Sequence, residues 1–340
     1  MTGTVPNDTT TDTAAVLDLL TGGWVAQTLR AVAQLRIADH LAHGPATAER
    51  VAESTGSDPG TTYRLMRAAA SLGVLSYEGD RRFGLTGRGQ LLRTDIPGSL
   101  RSLVLVQNEH AHWQAWGRLP EAVRQGRSQA REALGAEVFE YFAQPENAEE
   151  AALFARAMGD FSGLVIPDAV AAVDTTGVAS VVDIGGADGN FVLGLMQADP
   201  QLHGQVLDLP HAVEGARAEA GKRGLSERFS AVAGDFFTEV PSADLYLLKH
   251  ILHDWDDERA VTILRNCRTA VNPSGRLMVL ELVIGTSDFA TRMDMNMLAV
   301  TGGMERDLDE YDALFAASGW RRVNTFPVGG VFSLLELAPA

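Results

Sequence analysis

The chain has 340 residues, with 28 Lys and Arg against 44 Asp and Glu and a formal net charge of −16. That length leads one to expect two domains with a substantial core, and that charge repels polyanions, so neither nucleic acid nor an anionic membrane surface is an expected partner. The single cysteine, Cys267, excludes an internal disulfide and a Cys-based metal cage. With no charged-then-apolar leader in Met1–Asp12 and no apolar run near the ~20 residues of a membrane span, a cytoplasmic location is expected.

Residues 1–12 are polar and Thr-rich and read as a disordered tail. Through Ala14–Leu41, apolar residues such as Val16, Leu17, Leu20, Trp24, Leu29 and Val32 recur at three- and four-residue steps, with Gly22 and Gly23 dividing two helices. Thr47 caps Ala48–Glu53, Gly56 turns the chain, and Asp58-Pro59 opens a helix over Thr61–Leu72 that ends at Gly73. Val74–Tyr77 and Arg82–Leu85 flank the Glu78-Gly79-Asp80 turn as a hairpin, which completes a winged helix. Its arginines are nearly matched by acids, so 13–100 is expected to be a scaffold or dimerisation domain rather than a DNA reader. Over 101–175 the pattern stays helical, with interruptions expected at Pro120, Pro145 and Pro167. Its aromatics, including Trp113, Trp116, Phe139 and Phe154, could be core or could line a pocket.

Beyond residue 176 the period changes to strands alternating with helices. Ala179–Ile184 is a β-branched strand, followed by Gly185-Gly186-Ala187-Asp188-Gly189 and the apolar helix Phe191–Gln197. Such turns at the carboxyl ends of parallel strands hold nucleotide ligands, although this spacing is not the dinucleotide G-x-G-x-x-G. Asp183 and Asp188 would repel a pyrophosphate and favour a cationic ligand, so S-adenosylmethionine fits where NAD, FAD and ATP do not. Asp208 ends the next strand about 20 residues on, where a carboxylate accepts ribose hydroxyls. Asp235 can accept from the adenine amine while Phe236 covers the ring.

After the strand Asp244–Leu248 come Lys249-His250-Ile251-Leu252-His253-Asp254-Trp255-Asp256-Asp257-Glu258, a helix Arg259–Val271 and a turn Asn272–Gly275. His253 followed by Asp-Trp, the glycine turn and the later Gly302-Gly303-Met304-Glu305-Arg306 resemble the S-adenosylmethionine-dependent O-methyltransferases of plant caffeate and flavonoid metabolism and bacterial antibiotic tailoring. The resemblance covers nearly the whole chain. It implies an α/β fold with a Rossmann-like class I methyltransferase sheet at 176–340, an intertwined homodimer through the N-terminal winged-helix domain, and a 101–175 segment lining the acceptor pocket. The family's base falls on His253, its flanking acids on Glu281 and Glu305, and its cofactor contacts on Gly185, Asp208, Asp235, Phe236 and Lys249. Met158, Asn296, Met297 and Met304 fall at or beside acceptor contacts, with Trp113, His110 and His112 as further candidates. Ala187 departs from the pattern, which has glycine there.

Elementary chemistry agrees with that assignment. A phenol with pKa near ~10 is a poor nucleophile at neutral pH, and an imidazole within reach can take its proton. Glu281 or Glu305, accepting from the other ring nitrogen, would fix the tautomer. No metal is required, and His250-x-x-His253 lacks a third ligand at helical spacing. The alternatives are a same-fold enzyme carrying out hydroxylation or N- or C-methylation, and a non-catalytic winged-helix ligand sensor.

Overall fold

The computed structural model describes residues 9–340, with the side chains of Thr9, Thr10 and His211 left aside. The chain forms two compact units, Met1–Trp113 with Phe142–Phe161 and Gln114–Tyr141 with Ser162–Ala340. The helical 101–175 segment is therefore shared between them.

In the first unit a helix spans Thr9–Leu20, so the last residues of the expected 1–12 tail are helical, while residues 1–8 lie outside the described residues. A second helix, Gly22–Gln34, follows Thr21 directly. Among the described residues, the N-terminal part of their apolar stripe is open: Leu19 is 80% exposed and Trp24 69%, with Val16, Leu17 and Leu20 also open. The winged helix forms as its caps dictate. Thr47 accepts from the Arg50 N–H to start Ala48–Thr55, Gly56 ends it at φ 67°, and Asp58 accepts from the Thr61 N–H to start Pro59–Ser71. Three strands follow the order β1 (Ala46–Thr47), β3 (Arg82–Leu85), β2 (Leu75–Tyr77). The two-residue β1, too short to carry a period, is a strand of this wing that sequence reading misses. Val32, Ile37, Val51, Met66, Leu75 and Phe83 close the core beneath. The wing's arginines have partners inside the chain: Arg81 pairs with Glu49 and lies over the Tyr63 ring at 4.0 Å, and Arg82 donates to the Pro45 carbonyl.

The helices break at the expected prolines, and each proline opens the element that follows. Pro120, Pro145 and Pro167 each sit in a first turn, where the missing N–H costs nothing.

The second unit is built on a seven-stranded sheet in the order β6 (Phe229–Ala233), β5 (His203–Asp208), β4 (Ser180–Ile184), β7 (Ala243–Lys249), β8 (Val271–Leu282), β10 (Phe332–Pro339), β9 (Trp320–Val328). The pairs from β6 through β8 are parallel, and β10 is antiparallel to both its neighbours. The central strands β4, β7 and β8 are apolar runs buried on both faces, as a covered parallel sheet demands. The turn expected at Asn272–Gly275 is absorbed into β8, where the register shifts and Ser274 takes φ 67°. Cys267 is fully buried in this core, and burial pushes its thiol up to about 12. From β4 the chain runs outward through β5 to β6, then returns to the other side of β4 with β7. Strand order therefore reverses at β4 and β7, and the crevice beyond their carboxyl ends is the favoured ligand position in such sheets.

Candidate active site

Two turns meet that crevice. After β7 the chain passes through His250, held at φ 55°, into a single 3-10 turn, Leu252–Asp254. Leu252 is fully buried, an anchor worth about 1.5–3 kcal/mol. Glu281, near the end of β8, accepts from the Ile251 N–H at 3.1 Å and the Leu252 N–H at 2.9 Å through one oxygen. Its other oxygen lies 3.4 Å from His253 Nδ1, and Glu305 Oε1 is closer, at 3.0 Å. Glu305 is thus the hydrogen-bond acceptor of the ring, while Glu281 mainly fixes the backbone beneath it. With Nδ1 donating, Nε2 is left to accept a proton.

The segment after Val300 closes over this turn. Met304 N–H donates to the His253 carbonyl at 2.8 Å, and a Cβ on Gly303 would lie 2.0 Å from that oxygen, so only glycine fits. Glu305 N–H donates to Asp294 at 3.0 Å. Arg306, 1% exposed, donates to the carbonyls of Leu252 at 3.0 Å and Trp255 at 2.8 Å.

Electrostatics follow from this packing. Burial works to lower the His253 pKa, but Glu281, Asp254 and Glu305 together outweigh it and raise it to about 10. Burial pushes Glu281 up to about 7 against the pull of His253. Burial keeps His250 well below the ordinary histidine value, so it is neutral; its ring stacks on His253 at 5.7 Å rather than converging on a shared ligand. Among the described residues, His253, Glu281 and Glu305 are the group with ligand atoms, all within 4.8 Å, close enough to hold a cation.

The second turn follows β4. Gly185, Ala187 and Gly189 all take positive φ, at 65°, 51° and 74°. Ala187 is an exposed residue in a conformation suited to glycine, which costs about 1 kcal/mol. Asp183 lies under the turn, fully buried, with its carboxyl 2.6 Å from where a Gly186 Cβ would sit. Asp183, one of the expected cofactor contacts, thus packs directly beneath the turn. Burial raises it to about 7, with Lys249 and the Val192 N–H pulling back and Asp188 and Asp208 pushing further. Asp208 accepts from the Ala187 N–H at 2.8 Å and the Leu209 N–H at 2.6 Å, which ties the turn to the end of β5. Phe236 lies by Gly185, 3.6 Å from its would-be Cβ, and Asp235 is exposed at the end of β6. Lys249 Nζ donates to Ser162 Oγ at 2.9 Å. Asp188 and Asp208, with Asp183 beneath, make the turn a place for a positive ligand and a poor one for a phosphate.

The acceptor candidates divide between the units, Trp113 and Met158 in the first, Asn296, Met297 and Met304 in the second. Asn296 Oδ1 accepts from Trp116 Nε1 at 2.9 Å, Met297 is buried, and Met304 is 39% exposed. Trp113 is 42% exposed and Phe139 49%, so neither is plain core. Sequence reading passed over Ser162, Asp294 and the clasping role of Arg306. Only Arg306 carried a signal, a charge directly beside Glu305.

Comparison with known proteins places these features. Residues 116–321 match the O-methyltransferase domain family and residues 17–95 the O-methyltransferase dimerisation domain family. The chain is 34% identical over 328 residues to phenazine O-methyltransferase PhzM of Lysobacter antibioticus, covering 95% of each protein. Among solved structures it resembles the mitomycin 7-O-methyltransferase MmcR, with a TM-score of 0.89, 34% identity and coverage of 97% of this chain and 98% of that one. It also resembles the O-methyltransferase NcsB1 from neocarzinostatin biosynthesis, solved with S-adenosylmethionine and 2-hydroxy-5-methyl naphthoic acid, at a TM-score of 0.79, 31% identity and coverage of 93% and 96%. The acidic, phosphate-averse turn suits that cationic cofactor, and the chain belongs to the S-adenosylmethionine-dependent O-methyltransferase family, as an enzyme of the antibiotic and aromatic natural-product type.

Proposed function

We propose that this enzyme methylates a phenolic hydroxyl of a small aromatic acceptor, with His253 as general base. The observation that carries this reading is the 3.0 Å contact between His253 Nδ1 and Glu305, which leaves Nε2 as the proton acceptor. Relatives named for phenazine, mitomycin and hydroxybenzoate substrates support the acceptor class.

When bound, S-adenosylmethionine supplies an electrophilic methyl group. Asp208 would hold its ribose hydroxyls, Asp235 its adenine amine and Phe236 the ring face, with Gly185 and Lys249 completing the contacts. His253 Nε2 takes the phenolic proton as the oxygen attacks, and Glu305 and Glu281 stabilise the imidazolium that results. Asn296 and Met297 would help to position the aromatic plane, which matters because in-line transfer gains most from orientation. The acids that strengthen the base also keep it protonated, since a ring raised to about 10 is mostly imidazolium at neutral pH. Two features oppose this. Protonation of Glu281 near pH 7 weakens the hold on the ring, and a bound cation nearby disfavours a second positive charge.

The open apolar residues Val16, Leu17, Leu19, Leu20 and Trp24, within or beside the matched dimerisation region, support a homodimer. In-chain partners of the wing arginines favour a structural role there over nucleic-acid binding. Among the described residues no helix is long and apolar enough to cross a membrane, and a cytoplasmic biosynthetic role is the simplest reading.

The test is His253→Gln in single-turnover assays with phenols of graded acidity. For an un-ionised acceptor the rate should fall by ~10²–10⁴-fold with cofactor affinity near wild type. For an acceptor already ionised much of the rate should return. An equal deficit for both would remove the base role.

A further inference from the structure

We infer that Arg306 is a positioning residue for His253: its guanidinium clasps the backbone on both sides of the histidine and so fixes the ring against Glu305. The inference rests on His253 being the base.

His253 sits in a single 3-10 turn, and a helix of one turn has too few internal hydrogen bonds to hold itself. Its carbonyls need outside donors. Arg306 supplies two, one nitrogen to the Leu252 carbonyl at 3.0 Å and another to the Trp255 carbonyl at 2.8 Å. The second nitrogen and Nε also reach Asp257 Oδ1, at 2.8 Å and 3.0 Å, so the fork spans from the residue before the histidine to the start of the following helix. Between the two clasped carbonyls, the His253 carbonyl takes the Met304 N–H.

The clasp is anchored in turn. Arg306 bridges to Val283, and its carbonyl accepts from the Ile284 N–H at 3.0 Å, just beyond the strand that carries Glu281. Both acids and the clasp are therefore referenced to one strand end. Stability alone does not call for a guanidinium here. Its ion-pair partner among the described residues, Asp257, has a side chain 69% exposed, and burying a charge for such a pair seldom beats an apolar side chain of equal volume. What only the planar fork provides is donors at fixed spacing, which a lysine cannot copy. A shift of the order of 1 Å in a reacting group can cost about 100-fold in rate.

The test is Arg306→Lys, made alone and together with His253→Gln, with folding checked by circular dichroism. With an un-ionised phenol, kcat should fall by about 10- to 100-fold while KM for acceptor and cofactor stays within about twofold. In the His253→Gln background the same substitution should cost almost nothing, because the group it positions is gone. Asp257→Ala, an exposed change that removes the acceptor at the outer end of the fork, should give a smaller loss of the same kind and covers the case in which Arg306→Lys fails to fold. An equal fold-loss in both backgrounds, a rise in KM without loss of kcat, or an unaltered rate overturns the inference. If His253→Gln itself costs nothing, it is the base assignment that has failed, and that control reports it separately.

Discussion

The two turns at the switch point lie at the ends of adjacent parallel strands and are built on opposite plans. The turn after β4 is mostly backbone: three residues of positive φ, an acid beneath, and an acid on the next strand accepting from its N–H. The turn after β7 is mostly side chains: two buried glutamates and a buried arginine hold a histidine from several sides. A ligand with several polar edges can be bound by an open surface of backbone and acids. Proton transfer needs one nitrogen held in one place, and that takes a scaffold of buried side chains held by their own hydrogen bonds. Changes in the first turn should therefore move affinity, and changes in the second should move rate.

The largest break in that contrast is expected at Glu305. Glu305→Gln removes the charge facing His253 Nδ1 and should lower the plateau rate by on the order of 10³-fold, the scale on which orienting acids act. It should also shift the pH profile. If His253 is the base it works when deprotonated, so with its pKa raised to about 10 the wild-type rate on an un-ionised phenol should climb as pH rises from neutrality and be lost as pH falls. Removing one of the acids that raise it should move that limb towards lower pH. A pH–rate series on both proteins would decide it, and a limb that stays in place would mean that Glu305 does not set the basicity of the ring. Next in size, Asp208→Ala should weaken S-adenosylmethionine binding by ~1.5–3 kcal/mol, the worth of hydrogen bonds to a charged group, with little change in rate at saturation. Calorimetry measures the first and single-turnover kinetics the second; an unchanged dissociation constant would take Asp208 out of the site. The smallest effect is expected at Ala187. Ala187→Gly relieves backbone strain of about 1 kcal/mol and gives part of it back as chain entropy, so Tm should rise by about 1–3 °C. A fall in Tm would show that the methyl group is packed to advantage.

The same contrast explains what could be read from the chain alone. Strands β4 and β7 were legible because apolar runs have few alternatives to a covered parallel sheet, and His253 because Asp-Trp and Glu-Arg flank the two halves of its setting. The burial of Asp183 was not legible, because an aspartate beside a glycine turn reads alike whether it is open or lies under a glycine. Glu281 gripping the N–H groups of Ile251 and Leu252 joins residues about 30 positions apart through a sheet register that no local pattern encodes. The prolines marked the interruptions, but that each opens the next element was not legible, because this depends on where the previous turn closes. The N-terminal stripe was legible as helix but not as surface, since periodicity says which residues share a face and not what covers it.

Cys267 gives the molecule an internal clock. Its thiol is fully buried in the core cluster that includes Tyr246, Ile263 and Leu264 and is held as the unreactive protonated form, so a thiol reagent has nothing to attack while that core is closed. Each modification event then counts one opening of the central core. In the limit where chemistry is slow compared with reclosing, the labelling rate relative to a free thiol is the equilibrium constant for that opening. Being the one cysteine in 340 residues, it reports a single place without engineering, and ligands that tighten the sheet should be readable as a slower clock.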